Sequence, residues 1–336
     1  MRIAVVGAGA VGGVLAALFS RAGDDVVVTA RGEHGAAIAR DGLELSGGWG
    51  SHVARVPVVE RVEPPVDLIV LATKAHDSAV ALRAVSGCDG TPVLVVQNGL
   101  GGADAVRDAL PHSPVAIGLA LFAASLLAPG HVSVTGPAPL TLAGDDAAVA
   151  IALSALRAAL PAEVTVTDDV RGAQWTKLLV NQVNALPAIT GLSVQQVVAH
   201  DGLRRLLARG MVETALVGRA LGVRWAQVGS VGAAEVEELL AGDLRAAEAL
   251  PRSLAERMGD VPNPASTLQS IRRGRTTEID ALNGAVADAA AGLRIPAPVN
   301  AAMVALVHEV ERTGEFLPPA EVLVRVPSEN DPARTD

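Results

Sequence analysis

The chain has 336 residues, half of them apolar, with a formal net charge of −9 and one cysteine, Cys88. That length accommodates two domains with cores of their own, while the acidic balance, without a basic stripe or an aromatic platform, excludes nucleic acid as a partner. No apolar run reaches the ~18 residues of a membrane span, no signal-peptide pattern is visible at the start, and a lone cysteine permits no internal disulfide, so a reducing cytoplasm is the expected compartment.

The chain opens with MRIAVVGAGAVGG. Ile3–Val6 predicts a buried strand, and Val11–Arg21 continues as an apolar helix-forming segment. Gly7, Gly9 and Gly12 between them have the spacing of a dinucleotide-binding turn: one glycine for the tight turn, one for approach of a pyrophosphate, one for packing of helix on strand. The amides of the turn and the helix start, from Gly7, Ala8, Gly9, Ala10, Val11 and Gly12, are expected to face phosphate. Asp25–Ala30 predicts the second strand, ending at Arg31. No acid stands at Thr29 or Ala30 to hold a ribose hydroxyl, and an arginine there suits a 2′-phosphate, so the pocket leans to NADP.

A helix over Gly35–Arg40 and short glycine-rich strands follow. Asp67–Ala72 and Pro92–Val96 predict two more buried strands, delivering Thr73-Lys74 and Gln97-Asn98-Gly99 to their carboxyl ends, where ligands of open α/β sheets bind. A further strand is expected over Val115–Leu121, and Gly130–Val134 with Leu140–Leu142 reads as a hairpin closing the sheet. The rhythm predicts a doubly wound parallel sheet, a Rossmann domain over residues 1–168. From there helices dominate, with long ones expected over 170–188, 201–221, 232–256, 264–292 and 297–313. Residues 169–317 form the expected helical substrate domain, and 318–336, charged and proline-bearing, the expected mobile tail. No cluster has metal-ligand spacing.

Only two of the 27 basic side chains are lysine, Lys74 and Lys177, and lysine is the cation that gives up its proton when partly buried. On a helix, Asn181 and Asn184 fall about 40° and about 20° to either side of Lys177. A cation flanked by two amides is suited to a carboxylate or a carbonyl. In NPASTLQSIRRGRTTEIDALNG, residues 263–284, Asn263 and Ser266 suit the start of a helix. Glu278, twelve residues on, would lie roughly 18 Å further along an unbroken helix.

Together these motifs resemble the ketopantoate reductase (2-dehydropantoate 2-reductase) family over residues 1 to about 310. The resemblance implies an NADPH-binding Rossmann domain, an all-helical C-terminal domain, a cleft between them, and a place in pantothenate biosynthesis. It implies Lys177 as proton donor, with Asn98, Asn181, Asn184, Asn263 and Ser266 lining the substrate site. Lys74, Asn98, Ala123 (in the loop after the fifth strand) and Glu278 would meet the cofactor beside Gly7–Gly12 and Arg31. The sequence departs from the family at Gly118-Leu119-Ala120, where Gly-Thr-Thr is common, at the seven-residue step from Lys177 to Asn184, and at Val194-Gln195, where an asparagine is expected. Rival readings are a reductase of another 2-oxo acid, a β-hydroxyacid dehydrogenase (whose D-x-P-V-S-G-G loop is missing here), and a catalytically silent NADP sensor. The expected partners are a small 2-oxo acid and, as an open option, a second copy in a homodimer, with neither nucleic acid nor membrane.

Overall fold

The structure, a computed structural model, describes residues 1–327. The chain divides into two compact units, Met1–Ala173 and the remainder from Gln174.

The first unit begins with β1 (Arg2–Val6), α1 (Ala10–Arg21), β2 (Asp25–Thr29) and α2 (Gly32–Asp41), followed by β3 (Leu43–Gly47), β4 (His52–Ala54) and β5 (Leu68–Leu71). It continues with α3 (Ser78–Leu82), β6 (Val93–Val95), α4 (Gly102–Ala109), β7 (Val115–Ala120), β8 (Ala123–Ala128), β9 (His131–Gly136), β10 (Leu140–Gly144), α5 (Asp146–Ala159) and β11 (Val164–Val166). Among the described residues the main sheet has seven strands in the order β11-β10-β7-β6-β5-β1-β2. Its pairs are parallel except β7 with β10. Strands buried on both faces must be apolar throughout, and Ile3–Val6, Leu68–Leu71 and Val93–Val95 are all buried. From β1 the chain steps to β2 on one side and later to β5 on the other, so the sheet order reverses at the carboxyl ends of β1 and β5. That crevice is where doubly wound sheets bind ligands.

The hairpin expected from Gly130–Val134 and Leu140–Leu142 does not form. Pro137 and Pro139 separate two strands that belong to different sheets. β9 pairs with β8 and β3 in a second sheet, ordered β4-β3-β9-β8, whereas β10 lies antiparallel to β7. The reason is burial: Val132 and Val134 are needed against α1, where a Cβ on Gly13 would come 2.8 Å from Val132 Cγ1. One loop assignment changes: Ala123 opens β8, opposite Gly136. Gly118-Leu119-Ala120 lies within β7, inside the strand expected over Val115–Leu121, with Leu119 buried.

The second unit is built from helices α6 (Val170–Val180, across the boundary), α7 (Ala185–Thr190), α8 (Val194–Ala199), α9 (Asp201–Ala220), α10 (Ala233–Ala241) and α11 (Leu244–Ala247). Then come α12 (Ala249–Arg257), α13 (Ala265–Arg272), α14 (Asn283–Leu293), α15 (Pro298–Thr313) and α16 (Pro319–Arg325). α9 is its spine, burying Leu203, Leu206, Leu207, Met211 and Ala215 among its neighbours at the three- and four-residue steps of an amphipathic helix. The long helices expected over 170–188, 232–256 and 264–292 are interrupted. A 3-10 turn fills Asn181–Asn184, an extended Gly242 ends α10, and Gly274 at φ +60° closes α13. The stretch from Pro318 is not a loose tail as far as it is described. Val322 is fully buried, Arg325 pairs with Glu309 and Glu321, and Arg209 donates to the Pro327 carbonyl. Spacing of Val322 and Val326 at one helical turn was the signal that charge and proline masked. The rest of the expected tail, 328–336, lies outside the described residues.

Candidate active site

In the first unit the turn after β1 matches what a pyrophosphate needs. Gly7 sits at φ +96°, a conformation open to glycine, and a Cβ there would press on Thr73 Cγ2 at 2.6 Å. A Cβ on Gly12 would overlap the Gly7 carbonyl oxygen and the Ala72 methyl, so only glycine lets α1 pack this close to the sheet. Beside Gly9, by contrast, a Cβ would meet nothing within 4 Å. The turn is therefore tight at Gly7 and Gly12 and open at Gly9. Thr29 fixes it from β2, its hydroxyl accepting from Gly7 N–H and its carbonyl from Ala8 N–H, both at 3.0 Å. The first intrahelical bond of α1 runs from Gly13 N–H to Gly9 O at 2.7 Å, leaving Ala10, Val11 and Gly12 at the helix N-terminus, where backbone donors and the helix dipole favour an anion.

Arg31 caps α2 in extended conformation at the end of β2. Its guanidinium lies 3.2 Å from the Asp77 carboxylate. No acid flanks Arg31 in sequence on the β2 side, yet one reaches it in space, from the turn that follows β5. In that turn Lys74 precedes a short 3-10 segment, Ala75–Asp77. Gln97, buried at the end of β6, holds the same turn: its Nε2 donates to the Thr73 carbonyl at 2.8 Å and to the Ser78 hydroxyl at 2.8 Å. Asn98 follows directly, so one amide side chain sets the register between the Lys74 turn and the Asn98 turn.

In the second unit Lys177 lies in the last turn of α6. It is half-buried, and among the described residues it makes no hydrogen bond or ion pair. Burial alone pushes its ammonium down to about 8; a counter-charge would have held it up. Asn181 is one α-turn further on. Asn184 is three residues beyond that in the 3-10 turn, where side chains three apart eclipse, so both amides stay on one face although the helix that carried the expectation has ended. Asn181 and Asn184 are buried. The Asn184 amide is engaged at both ends: Nδ2 donates to the Asn181 carbonyl at 2.9 Å, and Oδ1 accepts from Ser266 N–H at 3.3 Å and the Ser266 hydroxyl at 3.4 Å. Asn181 Nδ2 is buried and, among the described residues, has no partner. An unmatched buried donor costs about 1–3 kcal/mol, and a polar ligand group beside Nδ2 would remove that cost.

Asn263 and Glu278 sit differently from a continuous helix. Asn263 Oδ1 accepts from Ala265 N–H at 2.8 Å and Nδ2 donates to Met258 Sδ, so the side chain shapes the entry to α13. There Ala265 is held at φ +58°, a strained backbone for a residue with a Cβ. Gln195 clamps this loop: Nε2 donates to the Gly259 and Val261 carbonyls and Oε1 accepts from Asn263 N–H, each at 2.9 Å. The site thus gains from Gln195 an anchor in place of the asparagine expected nearby. Because α13 stops at Gly274, the 18 Å estimate for Ser266 to Glu278 no longer applies; Glu278 begins a separate 3-10 turn, Ile279–Ala281.

Residues 3–145 match the family described as ketopantoate reductase PanE/ApbA, and residues 169–311 match its C-terminal domain. The chain belongs to the ketopantoate reductase family. Membership makes it an oxidoreductase and supports a nicotinamide cofactor. The chain is 31% identical to the 2-dehydropantoate 2-reductase of Halobacterium salinarum, covering 94% of this chain and all of that one. It is 30% identical to the enzyme of that name from Mesorhizobium japonicum, with 92% and 98% covered. Among solved structures, a PanE/ApbA family ketopantoate reductase from Ralstonia eutropha aligns at TM-score 0.77 and 31% identity, covering 93% and 99%. A D-mandelate dehydrogenase solved with NADH and anilino(oxo)acetate aligns at TM-score 0.79 and 25% identity, covering 93% and 99%. The family resemblance carried the motifs but not their supports. Gln97 stood in the motif, but its hold on the Thr73–Ser78 turn did not show; Asp77 and Gln195 act through contacts distant in sequence, and only the polar character of Gln195 beside a motif position hinted at it.

Proposed function

We propose that the protein reduces 2-dehydropantoate (ketopantoate) to pantoate with NADPH, and that Lys177 donates the proton. The observation that carries this is the half-buried ammonium of Lys177, without a counter-ion and lowered by burial to about 8, beside the unmatched buried donor of Asn181. The residues of the Gly7–Gly12 turn would hold the pyrophosphate, Arg31 the 2′-phosphate, and Lys74, Asn98, Ala123 and Glu278 further parts of the dinucleotide. When bound, the reduced nicotinamide supplies the hydride to C2. Lys177 stabilises the negative charge that develops on the carbonyl oxygen and then gives it a proton, so that C=O becomes CH–OH. Asn181 donates to the substrate through Nδ2. The Ser266–Asn184 pair orients the hydroxyl of ketopantoate, and Asn98 and Asn263 complete the lining. A group with a pKa near neutrality is suited to giving up a proton during turnover, which an arginine is not.

The test is kcat/KM, followed by NADPH oxidation, for ketopantoate, for 3-methyl-2-oxobutanoate, which lacks the hydroxyl, and for phenylglyoxylate, the 2-oxo acid of mandelate. A site that bonds the hydroxyl disfavours the plain acid by up to about 10⁴–10⁵, whereas methyl groups alone discriminate only about 10–200-fold. Ketopantoate should be preferred, and Ser266→Ala should narrow the gap by slowing ketopantoate selectively. Parity between the first two acids would make the protein a general 2-oxo-acid reductase. Preference for phenylglyoxylate is the second reading, favoured by Leu119-Ala120 in place of hydroxyl side chains and by the D-mandelate dehydrogenase alignment. Binding of NADPH without turnover of any acid would identify a sensor.

A further inference from the structure

We infer that His34 is a positioning residue that aims the backbone of the cofactor turn. His34 lies in the first turn of α2 and joins two segments far from it in sequence. Its Nε2 is 2.6 Å from the Ala8 carbonyl oxygen, and the Gly130 N–H donates to its Nδ1 at 2.9 Å. Only one neutral tautomer serves both partners, with the proton on Nε2. Gly130 stands at φ +79° in the turn between β8 and β9, and its carbonyl in turn accepts from Glu44 N–H at 2.8 Å. The imidazole is therefore braced by the second sheet while it grips the glycine turn.

The consequence lies in the peptide that joins Ala8 to Gly9. In a trans peptide the carbonyl and the following N–H point in opposite directions. Ala8 N–H is already committed to the Thr29 carbonyl, and His34 takes the Ala8 carbonyl, so the plane of the next peptide cannot turn. The Gly9 N–H is thereby directed away from His34, at the residue whose flank is open to 4 Å. His34 thus prepares a phosphate donor without touching the ligand. A free peptide would have to be oriented on binding, and fixing it beforehand removes that cost. This rests on the reading that Gly7–Gly12 holds the dinucleotide pyrophosphate.

The two bonds of His34 separate by substitution. Glutamine places a donor near the position of Nε2 and serves Ala8; asparagine places an acceptor near Nδ1 and serves Gly130; His34→Ala removes both. The experiment is direct titration of each full-length variant with NADPH, alongside kcat at saturating NADPH and the melting temperature. We expect His34→Ala and His34→Asn to weaken NADPH about three- to tenfold, on the scale of one hydrogen bond, with kcat within twofold of wild type. His34→Gln should restore NADPH affinity to within about twofold even where its melting temperature is lowered like that of His34→Ala. Equal weakening by glutamine and asparagine, or unchanged affinity in His34→Asn, overturns the role. Gly9→Val is the control for the underlying reading, since Gly9 at φ −67° accepts a side chain that would fill the open flank. If Gly9→Val abolishes NADPH binding while His34→Asn binds normally, the cofactor turn stands and the role of His34 falls. If Gly9→Val also binds normally, the turn is not the pyrophosphate site and both fall.

Discussion

Lys177 is set apart by what does not surround it. A lysine facing a carboxylate would keep its proton well above neutrality, but burial without a partner moves the ammonium to about 8. An interaction made chiefly in the transition state lowers kcat and kcat/KM together. Lys177→Ala should therefore cut kcat about 10²–10⁴-fold, with the NADPH dissociation constant little changed. Lys177→Arg should be nearly as poor, since it keeps the charge and cannot yield the proton; a variant within a few-fold of wild type would remove Lys177 from the chemistry. At the other cation of the proposed site, the Arg31–Asp77 pair is solvent-exposed on the arginine side, and exposed pairs are worth about 0.2–1 kcal/mol. On the proposed reading, Asp77 would compete with a 2′-phosphate for Arg31. Asp77→Asn should tighten NADPH up to about fivefold by that scale and leave NADH unaltered, whereas Arg31→Ala should weaken NADPH alone; equal shifts for both cofactors would show that neither residue reads the 2′-phosphate. Sequence showed Lys177 through the scarcity of lysine, and Arg31 through its place after a strand. Asp77 was invisible because the contact joins the ends of β2 and β5, which only the sheet order makes close.

At the scale of elements, period and burial told strand from helix well, but element ends depended on long-range satisfaction of hydrogen bonds. DLIVLA and PVLVV declare themselves as strands because each is apolar on both faces. The β9 strand was assigned to the wrong partner because alternation specifies a buried face and not which sheet supplies it. The helix through Lys177 breaks at Asn181, yet the amide face survives because the 3-10 turn restores it by another geometry. The loop before α13 is shaped from α8 by a single side chain, Gln195, through three hydrogen bonds. Gln195→Ala should release that loop, costing about 1–3 kcal/mol in chemical denaturation. It should also raise KM for the 2-oxo acid, because Asn263 and Ser266 lose their footing, while KM for NADPH stays within twofold. A rise in both Michaelis constants, or in neither, would contradict that division of labour.

At the scale of the whole molecule, the proposal divides the work: backbone donors and Arg31 in the first unit for the dinucleotide, and a lysine and amides in the second for the 2-oxo acid. Both ligands are anions, yet the chain carries a net charge of −9, so the attraction is local, supplied by a helix N-terminus and by individual cations. Proton linkage follows from Lys177. Its folded value, about 8, lies below the ordinary 10.5 of an exposed lysine, so between these pH values the unfolded chain binds more protons than the folded one. This group therefore makes the fold more stable as pH rises through that window, while the proton needed for reduction is lost. Activity and stability should move in opposite directions, and loss of activity at alkaline pH is expected without unfolding.

The most direct measurement is the pH dependence of kcat/KM for ketopantoate reduction, which reports the protonation state of the free enzyme. The account predicts a rate constant independent of pH up to about 7, falling tenfold per unit above an apparent pKa near 8, with near-UV circular dichroism unchanged across the range. In Lys177→Ala the residual rate should no longer show that fall. A wild-type profile that stays flat to pH 9.5, or the same alkaline fall in Lys177→Ala, would contradict Lys177 as the proton donor.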